Sequence, residues 1–214
     1  MSITSITARA RAGRLEVEHL LKEARHPDPA LADALDALSA ALHWYSSGVL
    51  EDGSRVVPLA AWARVVSMYA REGHPGLLAL ATEPGLADFV IGLLEELKTK
   101  EALDTLLLAF HAQLDAPERD VACAARIATA LNLMLSFKRA IPVEPAQAAR
   151  LRTFLHALYA CAENDAQRAS ALLALRGVGD EHSAGFAMAQ RLQEPWQDVP
   201  TIVARHIRKA RRNA

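Results

Sequence analysis

The chain has 214 residues, 51% of them hydrophobic and 23% charged, with a formal net charge of -1. That balance excludes a disordered chain, which lacks the apolar surface needed to fold, and argues against a dedicated duplex-DNA binder, which carries a basic surplus. No apolar run approaches the roughly 18 residues a helical membrane span needs, so a soluble cytoplasmic protein with no membrane contact is expected.

The opening stretch, MSITSITARARAGR, has no apolar core of the kind a secretory signal carries and no acid before Glu16. A frayed arm is expected over 1–13. The first helix is expected at 14–25, where Glu16, His19 and Glu23 share a face. Two carboxylates and one imidazole on a charged helix read as a solvated face, and no metal is assigned to them. Leu31, Leu35, Leu38 and Leu42 recur at helical spacing, with Asp28 and Pro29 placed as cap and first-turn proline. They predict a helix over 30–46.

The interval SSGVLEDGSRVV breaks the helical pattern. Asp52-Gly53 between two short β-branched runs predicts a hairpin or an irregular loop over 46–57. Long loops often bind, so Glu51, Asp52 and Arg55 are candidate loop contacts.

Further helices are expected at 58–71, 76–82, 85–97, 101–113, 118–137, 145–161, 166–176, 181–193 and 200–212. All ten prolines fall between apolar stripes, and no glycine occurs between Gly92 and Gly177. A β protein would need turn glycines in that interval. The fold class is all-α, read as a single domain over 1–214.

The clearest order lies from Leu86 onward. Hinges fall at Lys98–Lys100 ("KTK"), Lys138–Pro145 ("KRAIPVEP") and Gly177–Glu181 ("GVGDE"), and two helices separate each from the next. The period is about 40 residues, that of HEAT and armadillo solenoids. Through LEELKTKEALDTLLLAF, DAPERDVACAARIATAL and ALLALRGVGDEHSAGFAMAQRL, the span 86–214 resembles a bacterial HEAT/armadillo-like helical-repeat protein. The resemblance implies a right-handed α-solenoid of about five stacked helix pairs. The middle unit departs from the pattern in its longer hinge and longer first helix.

Over 118–137 the apolar residues cover most of the helix circumference, which predicts a helix sandwiched by neighbours. Arg119, Arg126, Thr129 and Asn132 form the thin polar line left over. Polar groups kept amid such neighbours are expected to face a solvent-filled groove and contact a partner. Over 200–214, Ile202, Val203, Ile207 and Ala210 are assigned to a packed face and the arginines to a wet one, as a capping helix requires.

Little here points to catalysis. Cys123 and Cys161 lie in Ala-rich helices and read as buried thiols in a reducing compartment. His111 and His156 lie in apolar runs and read as core histidines. There is no HExxH, P-loop, EF-hand loop or nucleophile elbow, and no cofactor is assigned. The expectation is a non-enzymatic protein-binding repeat protein. Among small bacterial chains of this type an immunity protein that neutralises a secreted toxin is a common role. The rival expectations are a HEAT-like DNA glycosylase acting on alkylated DNA, for which Trp44, Trp62 and Trp196 are available, and an assembly scaffold or chaperone. Neither the oligomeric state nor the partner is specified.

Overall fold

The computed structural model describes residues 3–11, 15–26, 28–42, 59–83, 85–115, 120–136 and 141–212. They form twelve α-helices and no strand. In chain order these are α1 (Ile3–Arg11), α2 (Val17–Ala24), α3 (Pro29–Leu42), α4 (Leu59–Glu72), α5 (His74–Leu80), α6 (Ala87–Leu97), α7 (Lys100–Asp115), α8 (Val121–Ser136), α9 (Pro145–Cys161), α10 (Asp165–Ala174), α11 (Glu181–Ala189) and α12 (Val199–Arg212). A 3-10 turn over Leu175–Gly177 prolongs α10. The interval 46–57 lies outside the described residues.

The helices gather into two compact units, Met1–Leu97 and Lys98–Ala214. In the first unit α3 packs on α4, α1 on α3, and α2 on α4. The arm expected to fray is instead helical, and Ile6 of α1 is fully buried. The entry to α3 is as expected: the Asp28 carboxylate accepts the Ala30 N–H at 2.9 Å, and Pro29 opens the helix. His19 serves the entry to α2, its Nδ1 accepting the Glu16 N–H at 3.1 Å. Buried Ser67 of α4 donates to Asp36 of α3 at 2.6 Å, and Arg71 donates to the other Asp36 oxygen at 2.6 Å. These two bonds, Ser67 first, hold the Asp36 carboxyl below its ordinary range.

In the second unit consecutive helices pack on each other, as α7 does on α8, α9 on α10 and α11 on α12, and so do helices two apart in sequence. α8 packs on α10 and α10 on α12. On the other side α7 packs on α9, and α9 meets α11 through His156, Tyr159 and Phe186. Between α7 and α9 and between α8 and the α10 segment, side-chain bonds join residues 39 to 44 apart in sequence, close to the spacing of the hinges. The first hinge has a physical stop: Lys98 takes a positive φ of 49°, and α7 restarts at Lys100.

The third hinge uses glycine for closeness. A Cβ on Gly177 would lie 2.4 Å from the Leu135 Cβ and 2.8 Å from the Leu135 carbonyl oxygen. A Cβ on Gly179 would lie 2.5 Å from Ile207 Cδ1 and 2.6 Å from the Leu175 carbonyl oxygen. The 3-10 turn can therefore touch α8 and α12 only with glycine at both places. On α12, Val203 and Ile207 are buried as expected and Ala204 is buried beside them, whereas Ile202, assigned to the same face, is 46% exposed, and Ala210 is exposed too. Position 202 is one residue from 203, a rotation of about 100°, and so turns away from the stripe its neighbour belongs to.

Candidate partner-binding face

α8 is buried along most of its length, from Val121 to Leu135. α9 is different. Among its seventeen residues only Leu151, Leu155 and Leu158 are buried. Those positions recur at i, i+4 and i+7, a single narrow stripe. Its other flanks stand open, and each forms one wall of a cleft.

The first cleft lies between α7 and α9 and measures about 220 Å³. Leu107, Leu108 and Phe154 give it an apolar surface, and Asp104, His111, Gln147 and Arg150 give it polar groups. Gln147 donates to the Asp104 carboxylate across it. Arg150 Nη2 lies 3.2 Å from His111 Nε2. The His111 ring meets the Phe154 ring edge-on at 3.7 Å. Leu108 is 54% exposed, the most exposed of the large apolar side chains among the described residues.

The second cleft, about 360 Å³, lies between α9 and the start of α11. Arg152, Thr153 and His156 face Asp180, His182 and Ser183. Arg152 pairs with Asp180 at 3.1 Å and donates to the Val178 carbonyl at 2.8 Å. Asp180 also caps α11, accepting the Ser183 N–H and hydroxyl. Chiefly the bond from the Ser183 N–H holds its carboxyl below the ordinary value. The His156 and His182 rings stack at 5.9 Å. Burial first, then the His182 charge, pushes His156 below its ordinary pKa, against the opposing pull of Asp180.

The first cleft is smaller than a typical small-ligand pocket of roughly 300–1,000 Å³. The second cleft, at about 360 Å³, falls at the low end of that range.

The residues chosen from the sequence lie on the other row. Thr129 is half-buried, donates to the Ala125 carbonyl at 3.1 Å and bonds the Ser170 hydroxyl of α10 at 3.1 Å. Asn132 is only 6% exposed. Its Oδ1 accepts both Nε and Nη2 of Arg176, at 3.1 and 2.7 Å. Asn132 therefore does not face a solvent-filled groove; it fastens α8 to the turn after α10. Arg126 is half-buried and already engaged. Arg119 and the loop residues Glu51, Asp52 and Arg55 lie outside the described residues, as does Trp44. Trp62 packs edge-on against Phe89 at 5.5 Å within the first unit.

His111 and His156, expected in the core, are half-buried walls of the two clefts. Cys123 and Cys161, also expected to be buried, are half-buried. Leu108, Arg150, Arg152 and His182 were not singled out from the sequence. The signal that would have found their neighbourhood is the thin stripe of α9, alanine or polar at nearly every position outside Leu151, Leu155 and Leu158.

Comparison with protein-family models, with curated proteins and with solved structures finds no match. No helix among the described residues is long and apolar enough to cross a membrane.

Proposed function

We propose that the chain is a non-enzymatic helical-repeat protein that binds a protein partner through the row α7, α9, α11. Packing between consecutive helices and between helices two apart, with bonds from α7 to α9 and from α8 to the α10 segment at 39-to-44-residue spacing, supports reading the second unit as an α-solenoid. The observation that carries the binding role is Leu108, 54% exposed beside Asp104, His111 and Arg150. An apolar side chain held open among polar groups of both signs suits a protein surface better than a phosphate backbone, which recruits cations. Arg126 and Thr129 are secondary candidates, on the more enclosed row. Neutralisation of a secreted bacterial toxin is the specific role we favour, by the habit of small repeat chains of this kind.

A photo-crosslinking residue placed at position 108, and separately at 153, tests the face in cells. The expected result is one protein captured from both positions, with a crosslinker at position 126 capturing none. Capture from 126 alone would move the interface to the α8 row. Release of bases from alkylated DNA by the wild-type chain would replace the binding role with the glycosylase reading.

A further inference from the structure

α12 carries a positive face that its packing does not use. Arg205, Arg208, Lys209, Arg211 and Arg212 stand on it with no acid among them, and all five are exposed. Val203, Ala204 and Ile207 take up the opposite side in the core. Among the described residues Glu181 is the acid these cations reach, through Arg208 Nε at 2.9 Å.

A helix C-terminus accounts for cations in its last turn, which Lys209, Arg211 and Arg212 occupy. It does not account for Arg205, nearly two turns from the end. Arg205 with Arg208, Arg205 with Lys209, and Arg208 with Arg212 are like charges at i, i+3 and i, i+4, where neighbours repel. Arg176 adds to the same field. His206, half-buried on α12, is held below its ordinary pKa by burial first, and then by Arg176 and Lys209.

One apolar group breaks the line. Ile202 is 46% exposed. Ile202, Arg205, Lys209 and Arg212 recur at i, i+3, i+7 and i+10, a single stripe along the helix. We infer that this stripe docks an acidic protein segment that carries an apolar side chain beside its carboxylates. The protein occupant presupposes the protein-binding reading above. Three observations favour it over other polyanions. A membrane-surface helix buries its apolar face in lipid, and that face of α12 is already inside the protein. Single-stranded nucleic acid is held by aromatic stacking, and the stripe has no aromatic residue. Phosphate contacts also leave an exposed isoleucine without a role.

Fluorescence anisotropy on the full chain tests the stripe. The probes are a labelled glutamate peptide with one central leucine, its all-glutamate counterpart, a short single-stranded oligonucleotide, and phosphatidylserine-containing vesicles. The leucine peptide is expected to bind at least about tenfold tighter than the all-glutamate one, a difference of about 1.4 kcal/mol. Arg205→Glu with Lys209→Glu should weaken it by at least about tenfold, and Ile202→Ser should abolish the preference for leucine. If the double reversal unfolds, judged by its helical spectrum, Arg205→Gln with Lys209→Gln gives the same readout. Equal binding of the two peptides overturns the inference. So does a folded double variant with wild-type affinity, or tighter binding of the oligonucleotide or the vesicles. The cleft between α7 and α9 is read separately, by Leu108→Asp on α7, which leaves α12 intact, so the two readings can fail independently.

Discussion

α8 and α9 are consecutive helices of nearly equal length, and they use their polar residues in opposite ways. On α8 the apolar residues cover most of the circumference. Thr129 and Asn132 are enclosed between helices and bonded to Ser170 and Arg176. On α9 a single line of leucines is buried. Arg150, Thr153 and Arg152 therefore remain at the edges of clefts. A polar group on a helix buried nearly all round is pressed to find a partner inside, since leaving it unpaired costs about 1–3 kcal/mol; Thr129 and Asn132 find one, while Ser136 Oγ at the end of α8 is buried without one among the described residues. A polar group on a helix buried along one stripe has no such obligation. Open binding surface thus follows the narrowness of the apolar stripe rather than the presence of polar residues within it.

The largest effect should come from glycines on the two rows. Gly177→Ala must push Leu135 and its backbone away, and a loss of about 3 kcal/mol is expected. Gly185, within α11, has nothing within 4 Å of a Cβ. Gly185→Ala should stabilise the chain by about 0.5–1 kcal/mol through helix propensity alone. Urea unfolding of both variants gives opposite signs if the comparison holds, and losses of equal size break it.

Next in size is the bond that fastens α8. Asn132→Ala removes the side-chain acceptor that Arg176 reaches on α8, and a loss of about 1.5–3 kcal/mol is expected for a bond to a charged group. Thr153→Ala, on the wall of an α9 cleft, should change stability by no more than about 0.5 kcal/mol. Chemical denaturation of the pair measures the contrast.

Acid should separate the two units. His156 and His206 in the second unit have lowered pKa values, burial being the larger cause in each. The unfolded chain therefore binds protons first, near pH 6.5. The stability that neutral His156 and His206 contribute is complete above that pH and lost as pH falls toward their folded values. In the first unit Asp36 is also lowered, by Ser67 and then Arg71. Its contribution holds until the pH nears the ordinary carboxylate value, about 3.9, and is lost below it. Hydrogen exchange followed with pH should show the second unit loosening first, and His156→Gln should flatten part of its slope between about pH 5 and 7. Loosening of both units at one pH would contradict these assignments.

Much of the helical layout was legible in the sequence, because prolines and apolar periodicity act locally. Pro145 and Cys161 bound α9 as expected, and Asp28 caps α3 as expected. The interior of the second unit was less legible. Asn132 reads as a solvent-facing group on periodicity alone, and nothing local shows that Arg176, 44 residues on, reaches it. His111 and His156 lie in apolar runs, yet both are half-buried on cleft walls, His111 on α7 and His156 on α9. Gly177 reads as a helix stop, while its closeness to Leu135 is a tertiary fact.

The smallest expected change in stability carries the most direct test. Leu108→Asp alters an exposed side chain and should move the melting temperature by no more than about 2 °C. Calorimetry with the partner captured through position 108 should show affinity reduced by at least about tenfold, on the order of 1.4 kcal/mol or more, with Arg126→Glu weakening binding less. A folded Leu108→Asp chain that binds this partner with wild-type affinity would contradict the assignment of the α7, α9, α11 row as the binding face.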